Sequence, residues 1–157
     1  MLLQNIELYE TDNFQYLLIH KNGSSSIVEC LKNTNYIVTD KVNLNKIRWT
    51  VIRDPYERFI AGLKYDLTRH GLNYKDINYS SLHNARVSLL TRNSGHVNHT
   101  ASQVPYLINT CIDWYVEIKD LHTFLKMHFN EVKYCNNNPN NIELNIDKEE
   151  IMKYLDL

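Results

Sequence analysis

The usual markers of location and ligand class are scarce in this chain. Cysteine occurs only three times in 157 residues, at Cys30, Cys111 and Cys135. An odd number, so widely spaced, makes neither a disulfide framework nor a thiolate metal site, and it implies a reducing compartment. No apolar run is long enough to span a bilayer, and the first residues lack an apolar segment behind a basic one. The expectation is a cytoplasmic protein with no membrane partner. Charge of one sign is also missing. Seventeen Lys and Arg against 18 Asp and Glu leave a net charge of −1. No global positive field therefore selects nucleic acid. The Walker A pattern is absent too, because no Gly-Lys-Ser/Thr occurs.

What is present is an ordinary globular composition, 43% hydrophobic and 22% charged, in a length suited to one domain, residues 1–157. No internal repeat or linker divides it. Ile6–Tyr9 reads as a short edge strand before the turn Thr11-Asp12-Asn13. Tyr16–Ile19 is a continuous apolar run, as in a buried parallel strand. A helix is expected from Ser24 to Leu31, with Ile27 and Leu31 on its inner face. Tyr36–Val38 and Trp49–Ile52 read as strands. Phe59, Ile60, Leu63 and Leu67 give the next helix an apolar stripe. Leu82–Leu90 reads as helix, Ser94–Gln103 as a loop over a site, and Cys111–Ile118 as a strand. Leu121, Phe124, Leu125 and Phe129 mark a helix, Asn136–Asn141 a loop, and Lys148–Leu155 a last helix. Strands alternating with helices predict an α/β fold: a short parallel sheet flanked by helices.

Two junctions stand out. In the first, the strand ends at His20-Lys21-Asn22-Gly23-Ser24-Ser25-Ser26. Gly23 permits a tight turn, the serines open a helix whose N-terminus favours an anion, and Lys21 adds an ammonium. The same residues also describe a plain strand–helix turn capped by serine. In the second, Trp49-Thr50-Val51-Ile52 runs into Arg53-Asp54-Pro55-Tyr56-Glu57-Arg58. Asp54, Pro55 and Glu57 are fully explained as a helix start. Arg53 is not; it stands where open α/β sheets bind ligands, and a guanidinium there suits a phosphate. Its alternative is a salt bridge to Asp54 or Glu57.

Together these segments resemble the sulfotransferase family, particularly its carbohydrate-type members. The first resembles the family's P-loop-like turn, which binds the 5′-phosphosulfate of 3′-phosphoadenosine 5′-phosphosulfate (PAPS). The second resembles the segment that binds the 3′-phosphate. A weaker third likeness is His99-Thr100-Ala101-Ser102-Gln103, similar to the family's His-x-x-x-Gln, followed by a strand and an acidic turn into a helix. The likeness runs from Tyr16 to about Phe129. It departs at Ala61, where the family has a serine on the 3′-phosphate, leaving Ser88 or Ser94 as substitutes, and at His20, where the family has proline. The chain is also short for the family.

The resemblance implies transfer of a sulfonate group from PAPS to an acceptor hydroxyl or amine, with 3′-phosphoadenosine 5′-phosphate (PAP) as product. Its partners are then the donor nucleotide and an acceptor, with a carbohydrate favoured. Lys21, Asn22, Gly23, Ser24, Ser25 and Ser26 would hold the 5′ end, and Arg53 the 3′-phosphate. Lys21 would also stabilise the leaving group, and the scheme uses no metal. Asp40, after the strand Tyr36–Val38, stands near where relatives place their base; its alternative is a turn residue. His99 is the second candidate, ahead of His96 and His20, while the remaining histidines read as surface or packing residues. Two other functions fit the same residues less well. One is a nucleotide-binding protein of this fold without transfer activity, the other an ATP-dependent phosphotransferase.

Overall fold

The computed structural model describes residues 6–69, 103–132 and 147–155. The predicted helix Leu82–Leu90, residues 94–102 of the predicted loop and Asn136–Asn141 lie outside the described residues. So do Cys135, Ser88, Ser94, His96 and His99.

The architecture is mixed α/β. Strands β1 (Leu8–Glu10), β2 (Phe14–Leu17), β3 (Ile37–Thr39), β4 (Ile47–Ile52) and β5 (Trp114–Glu117) form one sheet in the order β3-β1-β2-β4-β5. The helices are α1 (Ser24–Leu31), α2 (Pro55–Arg69), α3 (Val104–Thr110), α4 (Leu121–His128) and α5 (Lys148–Leu155), with a 3₁₀ turn at Ile118–Asp120. The residues cluster into two compact units, Met1–Arg53 with Ser102–Asn137, and Asp54–Ala101 with Asn138–Leu157.

The first unit contains the sheet. The expectation of a parallel sheet holds for only part of it. β2 pairs parallel with β4, and β4 with β5, but β1 is antiparallel to both β2 and β3. The cause is local. Only three residues join β1 to β2, and a parallel crossover needs a dozen or more. Thr11 closes the hairpin: its N–H donates to the Phe14 carbonyl at 2.9 Å, and its Oγ1 accepts from the N–H groups of Asn13 and Phe14. β1 is accordingly not the predicted edge strand; it lies between β3 and β2.

β2 starts two residues before the predicted run Tyr16–Ile19 and ends at Leu17; both faces of that run are covered, which is why it is apolar without alternation. Tyr16 and Leu18 pack with Trp49, Val51 and Val116 against Ile27, Cys30 and Leu31 of α1 and Leu121 and Leu125 of α4. Leu17 and Ile19 pack with Leu8 and with Tyr106 of α3. An aromatic chain stiffens the first face, with Tyr16, Trp114 and Phe124 all within 5.4 Å of the Trp49 ring centre. The Tyr16 hydroxyl is buried there without a hydrogen-bond partner among the described residues, and burial pushes its ionisation far above the usual phenol range.

The segment between β3 and β4 is held by Gln15, whose side chain is fully buried. Its Nε2 donates to the Lys41 carbonyl at 2.9 Å, and its Oε1 accepts from Asn43 N–H at 2.8 Å. At the start of β4, Arg48 donates to Asp113 Oδ1 at 2.7 Å and to the Cys111 carbonyl at 2.8 Å, fixing the approach to β5. β5 begins three residues later than the predicted strand because Cys111 caps α3 with φ 49°.

In the second unit α2 and α5 pack together, with Phe59, Leu63 and Ile151 buried. Asp54 starts α2 as expected: its Oδ1 accepts from Glu57 N–H at 3.0 Å, and Pro55 is the first helical residue. Arg58 is buried, and Lys148 Nζ lies 5.0 Å from the Tyr56 ring centre.

Candidate functional site

Neighbouring parallel strands end at the same edge of a sheet. The register pairs Leu17 of β2 with Thr50 of β4, so the chain leaves β2 toward Lys21 and leaves β4 at Arg53 side by side. The strand axes are about 4.8 Å apart. Two junctions 29 residues apart in sequence, counting from Asn22 to Val51, thus become one cluster.

After β2 the chain makes a tight turn, with Asn22 N–H donating to the Ile19 carbonyl at 3.3 Å. Lys21, the third residue of that turn, has φ 67°. Glycine or asparagine normally occupies such a position, and a lysine there carries about 1–2 kcal/mol of backbone strain. Strain of this kind gathers where a side chain must be presented in one direction. Gly23 follows at φ 77° and is the residue that caps α1. No serine side chain caps the helix, so the plain serine-capped turn is not what forms. The helical bonds begin with Ser26 and Ile27, whose N–H groups donate to the Gly23 carbonyl at 3.2 and 3.3 Å. Ser24 and Ser25 therefore stand at the orphan-donor positions of the helix start. No acidic residue occupies that first turn. Ser25 is exposed, Ser24 half-buried, and Ser26 turned into the protein at 7% exposure.

Gly23 has a second reason to be glycine. A Cβ there would overlap Leu121 Cδ2 and come within 3.1 Å of Ile118 Cδ1. Gly23→Ala is expected to lower stability by about 1–3 kcal/mol, through the left-handed backbone and the overpacking together. Urea unfolding measures it; unchanged stability would mean that the turn is not held this tightly.

Asn22 faces inward and is fully buried. Its Nδ2 donates to the Val51 carbonyl at 2.7 Å and to Gln103 Oε1 at 2.9 Å. Its Oδ1 is buried without a partner among the described residues. Gln103 turns its other side-chain atom to β4, where Nε2 donates to the Arg53 carbonyl at 2.7 Å. Arg53 in turn donates from Nη1 to the Lys21 carbonyl at 3.2 Å. The cluster is a closed set of ties: β2 turn to β4, β4 to Gln103, and Gln103 back to the turn.

Asp40 follows β3, whose direction is that of β2 because both are antiparallel to β1. It therefore emerges at the same edge, exposed, two strand spacings or about 10 Å to the side of β2. The order along the edge is Asp40, β1, the Lys21 turn, Arg53. Sequence reading missed Glu7, which immediately precedes β1 at this edge, between Asp40 and the turn. Its backbone carbonyl accepts from Leu18 N–H at 3.0 Å, and its Oε1 accepts from the Tyr9 hydroxyl at 2.7 Å. Gln103 also acquires a role that its place at the end of the His99–Gln103 segment did not reveal. The sequence-predicted residues Lys21, Asn22, Gly23, Ser24, Ser25, Ser26 and Arg53 come together; Asp40 flanks them, and His99 lies outside the described residues.

The arrangement offers a helix N-terminus, an ammonium and a guanidinium on one edge, which suits an extended anion with two charged ends. Among the described residues, no three His, Cys, Asp or Glu side chains are grouped to hold a metal ion, and no helix is long and apolar enough to cross a membrane. Comparison with protein-family models, with curated proteins and with solved structures finds no match.

Proposed function

We propose that the chain is a small PAPS-dependent sulfotransferase that transfers a sulfonate group to an acceptor hydroxyl or amine, a carbohydrate being the favoured acceptor. The observation that carries this reading is the parallel pairing of β2 with β4. It sets the Lys21–Ser26 turn, proposed as the P-loop-like phosphosulfate loop, beside Arg53, and the Arg53 guanidinium donates to the Lys21 carbonyl.

In this scheme the donor lies along the edge. Its 5′-phosphosulfate rests at the start of α1, on Ser24, Ser25 and the turn N–H groups, and its 3′-phosphate meets Arg53. The acceptor oxygen attacks sulfur in line, and the bond from sulfur to the bridging oxygen breaks. PAP departs with that electron pair, and the acceptor proton passes to a base. Lys21 meets the charge that grows on the bridging oxygen. Asp40 is the proposed base, with His99 second. Asn22 belongs to this cluster through its buried amide, as a support for the turn.

A second reading, nucleotide binding without transfer, is favoured by one observation: Ala61 in α2 supplies no hydroxyl where the resembling motif has serine. Product formation separates the two. Donor identity is tested first by calorimetry. PAP is expected to bind roughly ten- to a hundredfold tighter than AMP, ADP or ATP, since a charge-assisted contact is worth about 1.5–3 kcal/mol. Arg53→Ala is expected to erase that preference while the protein stays folded. Equal affinity of the native protein for PAP and AMP would remove the sulfotransferase reading.

A further inference from the structure

We infer that Gln103 is a positioning residue that sets the spacing between the Lys21 turn and Arg53, and so fixes the distance at which the two ends of a bis-phosphorylated ligand are held. The inference rests on the donor reading above and adds a residue to it.

Gln103 begins α3, and its own carbonyl accepts the first helical bonds, from Tyr106 and Leu107 N–H at 3.1 and 3.3 Å. Its main chain is therefore committed to the helix, and Tyr106 anchors that helix in the core. The side chain projects from this fixed base to both strand ends. Nε2 donates to the Arg53 carbonyl at 2.7 Å, and Oε1 accepts from Arg53 N–H at 3.5 Å. One amide thus holds both peptide groups of Arg53. The same Oε1 accepts from Asn22 Nδ2 at 2.9 Å, on the residue between Lys21 and Gly23. A residue that fixes Arg53 on both sides restricts the direction in which its guanidinium leaves the sheet. A residue that also fixes Asn22 restricts the strained turn. Two side-chain atoms holding three groups leave little freedom for either end, and pre-set geometry strengthens binding by lowering the ordering cost. The glutamine amide is required for this: a carboxylate of the same shape keeps the acceptor for Asn22 and repels the Arg53 carbonyl.

The test is a double-mutant cycle on PAP affinity, measured by calorimetry on folded protein. Gln103→Ala is expected to weaken PAP at least tenfold. In the Arg53→Ala background the same change is expected to do little, because Gln103 acts through Arg53. Equal losses in both backgrounds would make Gln103 a structural residue only and overturn the inference. Gln103→Glu, which restores one half of the amide, is expected to fail to rescue affinity.

If the native protein binds no PAP, the donor reading fails and the positioning claim is decided separately. Amide hydrogen exchange at Arg53 and the Asn22 side-chain resonances in ¹⁵N spectra are then compared between native protein and Gln103→Ala. Faster exchange and shifted Asn22 signals, with Tyr106 unchanged, support positioning. Unchanged exchange and unchanged Asn22 signals overturn it.

Discussion

Lys21→Ala is expected to lower turnover by on the order of 10²–10³-fold while PAP affinity falls far less. The size is that of removing one donor aimed at charge that appears only in the transition state. The turn itself supplies the reason for expecting selectivity. Lys21 sits at φ 67°, a conformation that favours glycine, so the chain tolerates strain to place a lysine there. Lys21→Gly is the control that separates the two roles of the position. It removes the ammonium but suits the backbone, so thermal stability is expected to hold or rise while turnover falls as in Lys21→Ala. Calorimetry with PAP and steady-state rates at saturating donor read the outcome. Weaker PAP binding with unchanged turnover would make Lys21 an anchor and remove it from the chemical step.

That strain was not legible in the sequence, although the junction was. Gly23 and the i, i+4 pair Ile27 and Leu31 mark α1 so clearly that its predicted and observed ranges coincide. The apolar run Tyr16–Ile19 pointed to β2 but not to its bounds: the strand is Phe14–Leu17, Gln15 hides its start, and Leu18 and Ile19 follow its end. The direction of β1 is a matter of pairing. The three-residue turn at Thr11–Asn13 was seen, and its consequence, an antiparallel neighbour inserted between β2 and β3, was not drawn. α3 was missed, although Pro105 in its first turn and the i, i+4 pair Tyr106 and Thr110 were available signals. Its brevity hides them among turn-like residues. Gln103 could not be found this way at all. Its partners lie 50 and 81 residues distant in the chain, and only the sheet brings them together.

The largest expected effect concerns the base. Asp40→Asn is expected to lower turnover by on the order of 10²–10⁴-fold with PAP affinity nearly unchanged, because the amide keeps the shape and loses the proton acceptor. The order of strands supplies the reasoning. In the proposed scheme a donor stretched from the Lys21 turn to Arg53 would occupy the β2–β4 side of the edge, so its sulfonate end and the incoming acceptor would fall toward β1 and β3. Among the described residues, two carboxylates stand there, Glu7 and Asp40. Glu7 is nearer to β2 by one strand, but its Oε1 already accepts the Tyr9 hydroxyl at 2.7 Å. Burial, with help from Glu7 itself, pushes Tyr9 well above the usual phenol range, so that hydroxyl remains a donor at any working pH. Asp40 is exposed and has no hydrogen bond or ion pair among the described residues, which leaves both its oxygens available to an acceptor. Glu7→Gln is therefore expected to leave turnover near that of the native protein, and His99→Ala to reduce it less than Asp40→Asn. An Asp40→Asn protein that keeps the rate would exclude Asp40. A matching loss in Glu7→Gln would then make Glu7 the proposed base, with Lys21 and Arg53 keeping their proposed roles.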